Sequence, residues 1–264
     1  MVRCLIRSTL LVAVPGTLVA CRALLGVDRE GTTDTTPDAS GDASDTADAD
    51  AGVAPFDAAA IFAFDDFEVP HADGLGEAKI GGSWLLDTTA AGAFSVRDGS
   101  AFLRAGATQT VKATIGTDVS DVDVTASFSI SEVPAAALYM GLLARATSGS
   151  MYELLVKIPP SKNQATTLKF GSDDNSAESS FVVSPNVPFK LHMQIQGRAP
   201  SNLRGRIWRG ETEPNEWQAQ ATYSAETDSG ALDLPSGQVG FQLYYDGDGG
   251  TGTVAFHDFT ARRL

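Results

Sequence analysis

From about residue 60 to the C terminus, apolar and polar residues alternate with a period of two, and this pattern constrains the fold more than any other feature. The alternation is clearest in segments 109–115, 121–130, 190–196 and 238–245. Successive side chains of a β-strand point to opposite faces, so the pattern predicts strands with one buried face. No window after residue 60 sustains an apolar helical stripe over three turns, which excludes a helical domain.

Turn signals separate these segments at short intervals, as at Asp98-Gly99, Ser148-Gly149 and Ser236-Gly237. We predict about thirteen strands, more than one antiparallel sheet holds comfortably without splitting into two packed sheets. The sequence therefore predicts an all-β fold for residues 59–264: a two-sheet antiparallel β-sandwich.

Several strand segments resemble a known family. They are residues 63–68, 137–145, 152–156, 203–208 with 213–217, and 254–259. The series resembles the concanavalin A-like (LamG-type) jelly-roll modules of bacterial surface proteins and glycoside hydrolases. Its motifs are strand-packing signatures, so the resemblance implies a fold and not an activity. In such a jelly roll the first and last strands lie side by side, which fits the similarity of segment 64–67 to segment 256–259.

The N-terminal segment is typical of an export signal. It carries Arg3 and Arg7, followed by an apolar run over residues 10–20 that is too short to span a bilayer. Residues 18–21, Leu-Val-Ala-Cys, resemble the bacterial lipobox, in which the cysteine thiol is lipidated before cleavage. We therefore predict a lipoprotein signal peptide over residues 1–20 and lipidation of Cys21. The alternative is an ordinary secretory peptide, with Cys21 a bystander.

Residues 21–58 are predicted to be a disordered linker behind the lipid anchor. Its central part, residues 31–52, has 6 Asp and no basic, aromatic, Val, Leu or Ile residue. Such a segment cannot bury enough apolar surface to offset its chain entropy. Arg22, and not Asp, follows the cysteine. The signal therefore resembles that of lipoproteins sorted to the outer membrane, which predicts a lipid anchor in the bacterial outer membrane.

The formal net charge of the chain is −14, with 19 Lys plus Arg against 33 Asp plus Glu. An acidic surface of this kind repels phosphate backbones, so we do not expect a nucleic-acid partner. Cys4 leaves with the signal peptide, so the folded domain is expected to rely on its apolar core and not on disulfides.

Catalytic motifs are absent from the sequence. The concanavalin-like glucanases carry their carboxylates on one strand with the spacing Glu-x-Asp-x-x-Glu, which this chain lacks. There is no Gly-x-Ser-x-Gly elbow, and no two histidines have zinc-ligand spacing. The sequence thus predicts a protein that is not an enzyme and has no cofactor.

One set of acidic residues is a candidate for a structural calcium ion. Modules of the resembled family sometimes hold such an ion near the seam of their terminal strands. The residues that could meet there are Asp65, Asp66, Glu68 and Asp258.

The alternation also predicts which side chains face outward and could bind a ligand. If the apolar residues of each strand face the core, the outward set comprises His192, Arg204, Arg206, Trp208, Tyr139, Arg145 and Tyr244. Aromatic rings beside planar hydrogen-bonding groups suit a sugar, which offers C–H surface to stack and hydroxyls to bond. The alternative is an ordinary exposed sheet face, with Trp208 under a neighbouring loop.

These observations favour a membrane-anchored surface lipoprotein with a noncatalytic, lectin-like domain whose partner is a polysaccharide or other glycan. Two alternatives stay open at this point. One is a glycan hydrolase with unrecognised catalytic residues, and the other is a purely structural envelope protein.

Overall fold

The computed structural model describes residues 61–88, 90–161, 163–171, 176–178, 182–224 and 234–264. The predicted signal peptide, Cys21 and the predicted linker lie outside these residues. None of the described residues forms a helix that is long and apolar enough to cross a membrane.

The described chain is built from β-strands. In chain order they are β1 (Ile61–Asp65), β2 (Glu77–Ala78), β3 (Gly82–Ser83), β4 (Leu85–Asp87), β5 (Phe94–Arg97), β6 (Ser100–Gly106), β7 (Thr110–Val119), β8 (Val122–Ser129), β9 (Ala137–Ala146), β10 (Tyr152–Ile158), β11 (Thr167–Phe170), β12 (Ser176–Glu178), β13 (Phe189–Gln196), β14 (Ser201–Trp208), β15 (Ala219–Tyr223), β16 (Gly237–Asp246) and β17 (Thr251–Arg263).

Two large antiparallel sheets make up the sandwich. The eight-stranded sheet has the order β15-β14-β13-β8-β17-β6-β5, with β1 also paired to β17. The seven-stranded sheet has the order β12-β11-β10-β9-β16-β7-β4. The predicted all-β, two-sheet antiparallel fold is confirmed. The additional strands relative to the prediction include β2, β3, β4 and β12, which are two or three residues long, too short to show an alternation.

The terminal strands β1 and β17 pair side by side, with Asp65 opposite Phe259, as the resemblance implied. Beside this seam an aromatic cluster joins the two sheets. The ring of Trp84 lies 4.8 Å from that of Phe241 in the seven-stranded sheet and 5.3 Å from that of Phe259 in the eight-stranded sheet. Its indole Nε1 donates a hydrogen bond of 2.8 Å to Asp65 Oδ2. The core is therefore continuous between the sheets and leaves the outer face of each available for other contacts.

Candidate functional site

The outer face of the seven-stranded sheet carries a pair of tyrosines. Tyr139 of β9 and Tyr244 of β16 are direct cross-strand partners. Their ring centroids are 5.8 Å apart with an interplanar angle of 44°. The residues next to them on each strand are buried in the core, so the two tyrosines point to the outer face, where both rings are half-buried. The pair forms an aromatic surface at one side of the face.

The neighbouring row of side chains contains a gap. In register, this row runs across six strands through Lys169, Leu155, Gly141, Gln242, Lys112 and Asp87. Gly141 brings no side chain, and a Cβ there would lie 2.4 Å from the carbonyl oxygen of Leu154. Glycine is therefore required at this position, and side chains of this row and of the tyrosine pair line an open depression of about 420 Å³.

A second depression of the same volume, about 420 Å³, adjoins the first and shares Lys112 with it. Its walls come from edge strand β4 and from residues 146–151. Leu85 and Leu86 of β4 are 54% and 39% exposed, so they add apolar surface to a depression that polar side chains also line. The two depressions together form one groove across the outer face of the sheet. Neighbouring strands are about 4.8 Å apart, so this groove, from β11 to β4, is roughly 24 Å long. That shape suits an extended ligand.

Gln242 forms part of the floor of this groove. Its side chain is 5% exposed, and its Oε1 has no hydrogen-bond partner among the described residues. Leaving a buried amide oxygen unpaired costs about 1–3 kcal/mol. A hydrogen-bond donor from a ligand in the depression would remove this cost.

Glu153 of β10 lines the same depression. Burial raises the pKa of its carboxyl above the usual value, and the charges of Lys112 and Lys169 and a hydrogen bond from Gln242 only partly oppose this effect. A carboxyl in this setting holds its proton to higher pH than a free glutamate, which makes it a candidate proton donor.

Replacing Glu153 by Gln should change how stability depends on pH. Because the folded-state pKa of Glu153 is raised, the favourable contribution of its protonated form is complete below the ordinary value of 4.5. That contribution is lost as pH rises through the folded-state pKa. Gln has no titrating carboxyl, so the Glu153→Gln variant does not lose stability in this way as pH rises. Its free energy of unfolding relative to the parent, measured in urea, should therefore increase between about pH 4 and pH 8. A difference that does not change with pH would contradict the assigned environment.

The outer face of the eight-stranded sheet carries a different cluster. His192 bonds to Asp123 Oδ2 at 2.8 Å and to Glu213, and its ring lies 4.9 Å from that of Trp217. The guanidinium groups of Arg204 and Arg206 lie 4.9 and 4.0 Å from the centre of the Trp217 ring. Residues of the 209–218 loop therefore cover this part of the face and contact His192, Arg204 and Arg206.

The predicted ligand-binding set is thus divided between two sheets. Tyr139 and Tyr244 lie on the outer face of one sheet, whereas His192, Arg204 and Arg206 lie on that of the other. Because the two faces point away from each other, these candidate residues do not share one site. Trp208 is only 9% exposed and lies outside the apolar core cluster, so it is not displayed to solvent.

The prediction for Arg145 is wrong. It was expected to face outward, but its side chain is 0% exposed. Its φ is 47°, and the pairing of β9 with β16 shifts register between Gln238 and Gly240. This irregularity breaks the alternation and turns the guanidinium inward, where it bonds to groups of both sheets.

The predicted calcium ligands do not assemble. No group of three or more His, Cys, Asp or Glu residues in the described chain could hold a metal ion. Asp65 accepts hydrogen bonds from Trp84 and the Phe67 backbone, and burial raises its pKa. The remaining acids have partners elsewhere: Lys79 binds Asp66 and Glu68, and Ser127 donates to Asp258.

Sequence reasoning missed Glu153, Lys112 and Lys169 as members of the candidate site. The alternation of segment 152–156 already placed Glu153 opposite the buried Leu154 and Val156. What was missing was the knowledge that β10, β7 and β11 lie near the tyrosines, which depends on the strand order.

Comparison with known proteins agrees with this architecture. No protein-family model and no curated protein matches the sequence. A non-specific endo-β-1,3(4)-glucanase of family GH16 is similar in structure at 9% identity, with a TM-score of 0.53 over 77% of this chain and 91% of the other. An immunostimulatory antigen and pseudo-β-1,3-glucanase of Mycobacterium tuberculosis is similar at 8% identity, with a TM-score of 0.51 over 78% and 99%.

An endo-acting O-glycanase of the human gut microbiota gives a TM-score of 0.51 at 10% identity, over 77% of this chain and 99% of the other. At such low identity these similarities establish the fold alone, a glucanase-like jelly-roll β-sandwich. The concanavalin A-like part of the resemblance is therefore confirmed, whereas its LamG-type detail stays a prediction.

The prediction that the chain is not an enzyme is contradicted by these comparisons. It rested on the missing Glu-x-Asp-x-x-Glu strand, yet the structures with this fold include glycan-cleaving enzymes. The lack of one family's motif does not exclude activity, because one fold can carry different sets of catalytic residues.

Proposed function

We propose that this protein recognises carbohydrate in the groove on the outer face of its seven-stranded sheet. The observation that carries the proposal is the buried Oε1 of Gln242, which has no hydrogen-bond partner among the described residues and lies in an open depression beside the Tyr139–Tyr244 pair. Solved structures of the same fold that act on glycans support the same conclusion.

The chemistry of the groove suits a sugar chain. The tyrosine rings offer apolar surface for the C–H face of a pyranose. Gln242 and Thr110 offer hydrogen-bonding groups for its hydroxyls. The length of the groove matches a polysaccharide better than a single sugar.

A glycan array probed with the full chain tests this function. We expect binding to at least one class of polysaccharide, with free oligosaccharide of the same class competing for it. Absence of binding to every arrayed glycan would contradict the proposal.

Cleavage of the bound glycan is a second candidate function, and Glu153 is the residue that favours it. The raised pKa of its carboxyl suits proton donation to a glycosidic oxygen. Release of new reducing ends from a bound polysaccharide, lost in Glu153→Gln with binding retained, would establish this activity. Binding without any release would restrict the protein to recognition.

We also propose that lipidation of Cys21 anchors the protein in the bacterial outer membrane. Two or more acyl chains hold a protein on a membrane stably. The Cys21→Ala variant should therefore appear in the soluble fraction or accumulate as an unprocessed precursor. Membrane fractionation identical to that of the parent would contradict the anchor.

A further inference from the structure

Three lysines on the outer face of the seven-stranded sheet make no direct ion pair with an acid of the described residues. Lys112 and Lys169 line the depression at Gln242, and the ammonium groups of Lys157 and Lys169 lie 5.7 and 5.8 Å from the centre of the Tyr139 ring. Within the described chain, none of the three forms an ion pair.

Lysines elsewhere behave differently. Lys79 is held by Asp66 and Glu68, and Lys190 pairs with Glu211 at 3.0 Å. In a chain with a net charge of −14, acidic partners are plentiful, so the unpaired lysines on one face need another explanation.

The acids of this face do not neutralise the depression. Glu153 is its one carboxylate among the described residues, against Lys112 and Lys169. Asp87 and Asp246 are exposed at the ends of their strands. An anionic group above Gln242 would therefore meet two ammonium groups at once.

We infer that the groove is selective for polysaccharides bearing anionic groups, with Lys112 and Lys169 binding the anion beside the tyrosine-stacked sugar. This inference rests on the proposed function. The anion is a carboxylate or a sulfate, each with several acceptor oxygens. Uronic acids supply the first and sulfated sugars the second.

Matched pairs of polysaccharides test the inference. The full chain is titrated with polygalacturonate and with its methyl-esterified form, which has the same backbone without the charge. A second pair is dextran sulfate and dextran, which distinguishes sulfate from carboxylate. Each titration is repeated with Lys112→Ala/Lys169→Ala and with Lys190→Ala, a control on the other sheet.

We expect one charged polymer to bind at least about tenfold more tightly than its neutral partner. The double variant should lose that preference and Lys190→Ala should keep it, and added salt should weaken binding. Equal affinity for charged and neutral polymers would overturn the inference while leaving glycan recognition intact. No binding to any of the four polymers would also overturn the inference, whereas the glycan array decides separately whether glycan recognition itself fails.

Discussion

Replacing Arg145 by Met is expected to destabilise the protein by about 3–5 kcal/mol, the cost of breaking a buried charged network by removing one partner. The guanidinium is fully buried. Its donors bond to the carbonyl oxygens of Ser120, Leu234 and Gly197, to Ser201 Oγ, and to Asp121 Oδ1, at 2.6–3.2 Å.

These partners explain the size of the effect. Arg145 lies on β9 of the seven-stranded sheet, whereas Gly197 and Ser201 flank the turn between β13 and β14 of the eight-stranded sheet. Met keeps much of the apolar volume but donates no hydrogen bonds, so buried acceptors from both sheets lose their partner. One substitution therefore weakens the attachment of one sheet to the other.

Urea denaturation at neutral pH measures the loss. Arg104→Met serves as the control, since Arg104 is an exposed residue of β6 and should change stability by no more than about 0.5 kcal/mol. If Arg145→Met lost less than about 1 kcal/mol, the network would not be a principal connection between the sheets.

The double substitution Tyr139→Ala/Tyr244→Ala is expected to weaken glycan binding by roughly 5- to 150-fold. Each stacking contact contributes about 0.5–1.5 kcal/mol, and each 1.4 kcal/mol is a factor of ten in affinity. Both rings lie on the outer face and are only half-buried, so the folded core should survive their removal. Isothermal titration with the glycan selected by the array gives the two dissociation constants.

Trp217→Ala is the matched control for the other sheet. Trp217 stacks with Arg204 and Arg206 on the covered face, so its removal should leave glycan affinity within about twofold. Thermal unfolding of each variant separates lost binding from lost folding. Loss of affinity in Trp217→Ala, with Tyr139→Ala/Tyr244→Ala unaffected, would move the site to the eight-stranded sheet.

Period-two alternation predicted the two-sheet fold, because a strand that buries only one face must alternate apolar and polar side chains. It also placed Tyr139 and Tyr244 outward, since their strands are regular at these positions. It failed at Arg145, where positive φ and a register shift reverse the direction of the side chain. A local irregularity of this kind leaves no trace in an apolar–polar pattern.

Strand order was the other limit. The sequence does not show that β10 and β11 lie on one side of β9 and that β16 and β7 lie on the other. That arrangement brings Glu153, Lys169 and Lys112 around Gly141, and it also separates His192 from Tyr139. Long-range pairing thus determined which outward residues share a site.

The position of a bound oligosaccharide in a crystal structure of the full chain tests the central claim most directly. The sugar should lie on the outer face of the seven-stranded sheet, with a pyranose ring against Tyr139 or Tyr244 and a hydroxyl donating to Gln242 Oε1. A sugar bound at Trp217 on the eight-stranded sheet, with the Gln242 depression unoccupied, would contradict it.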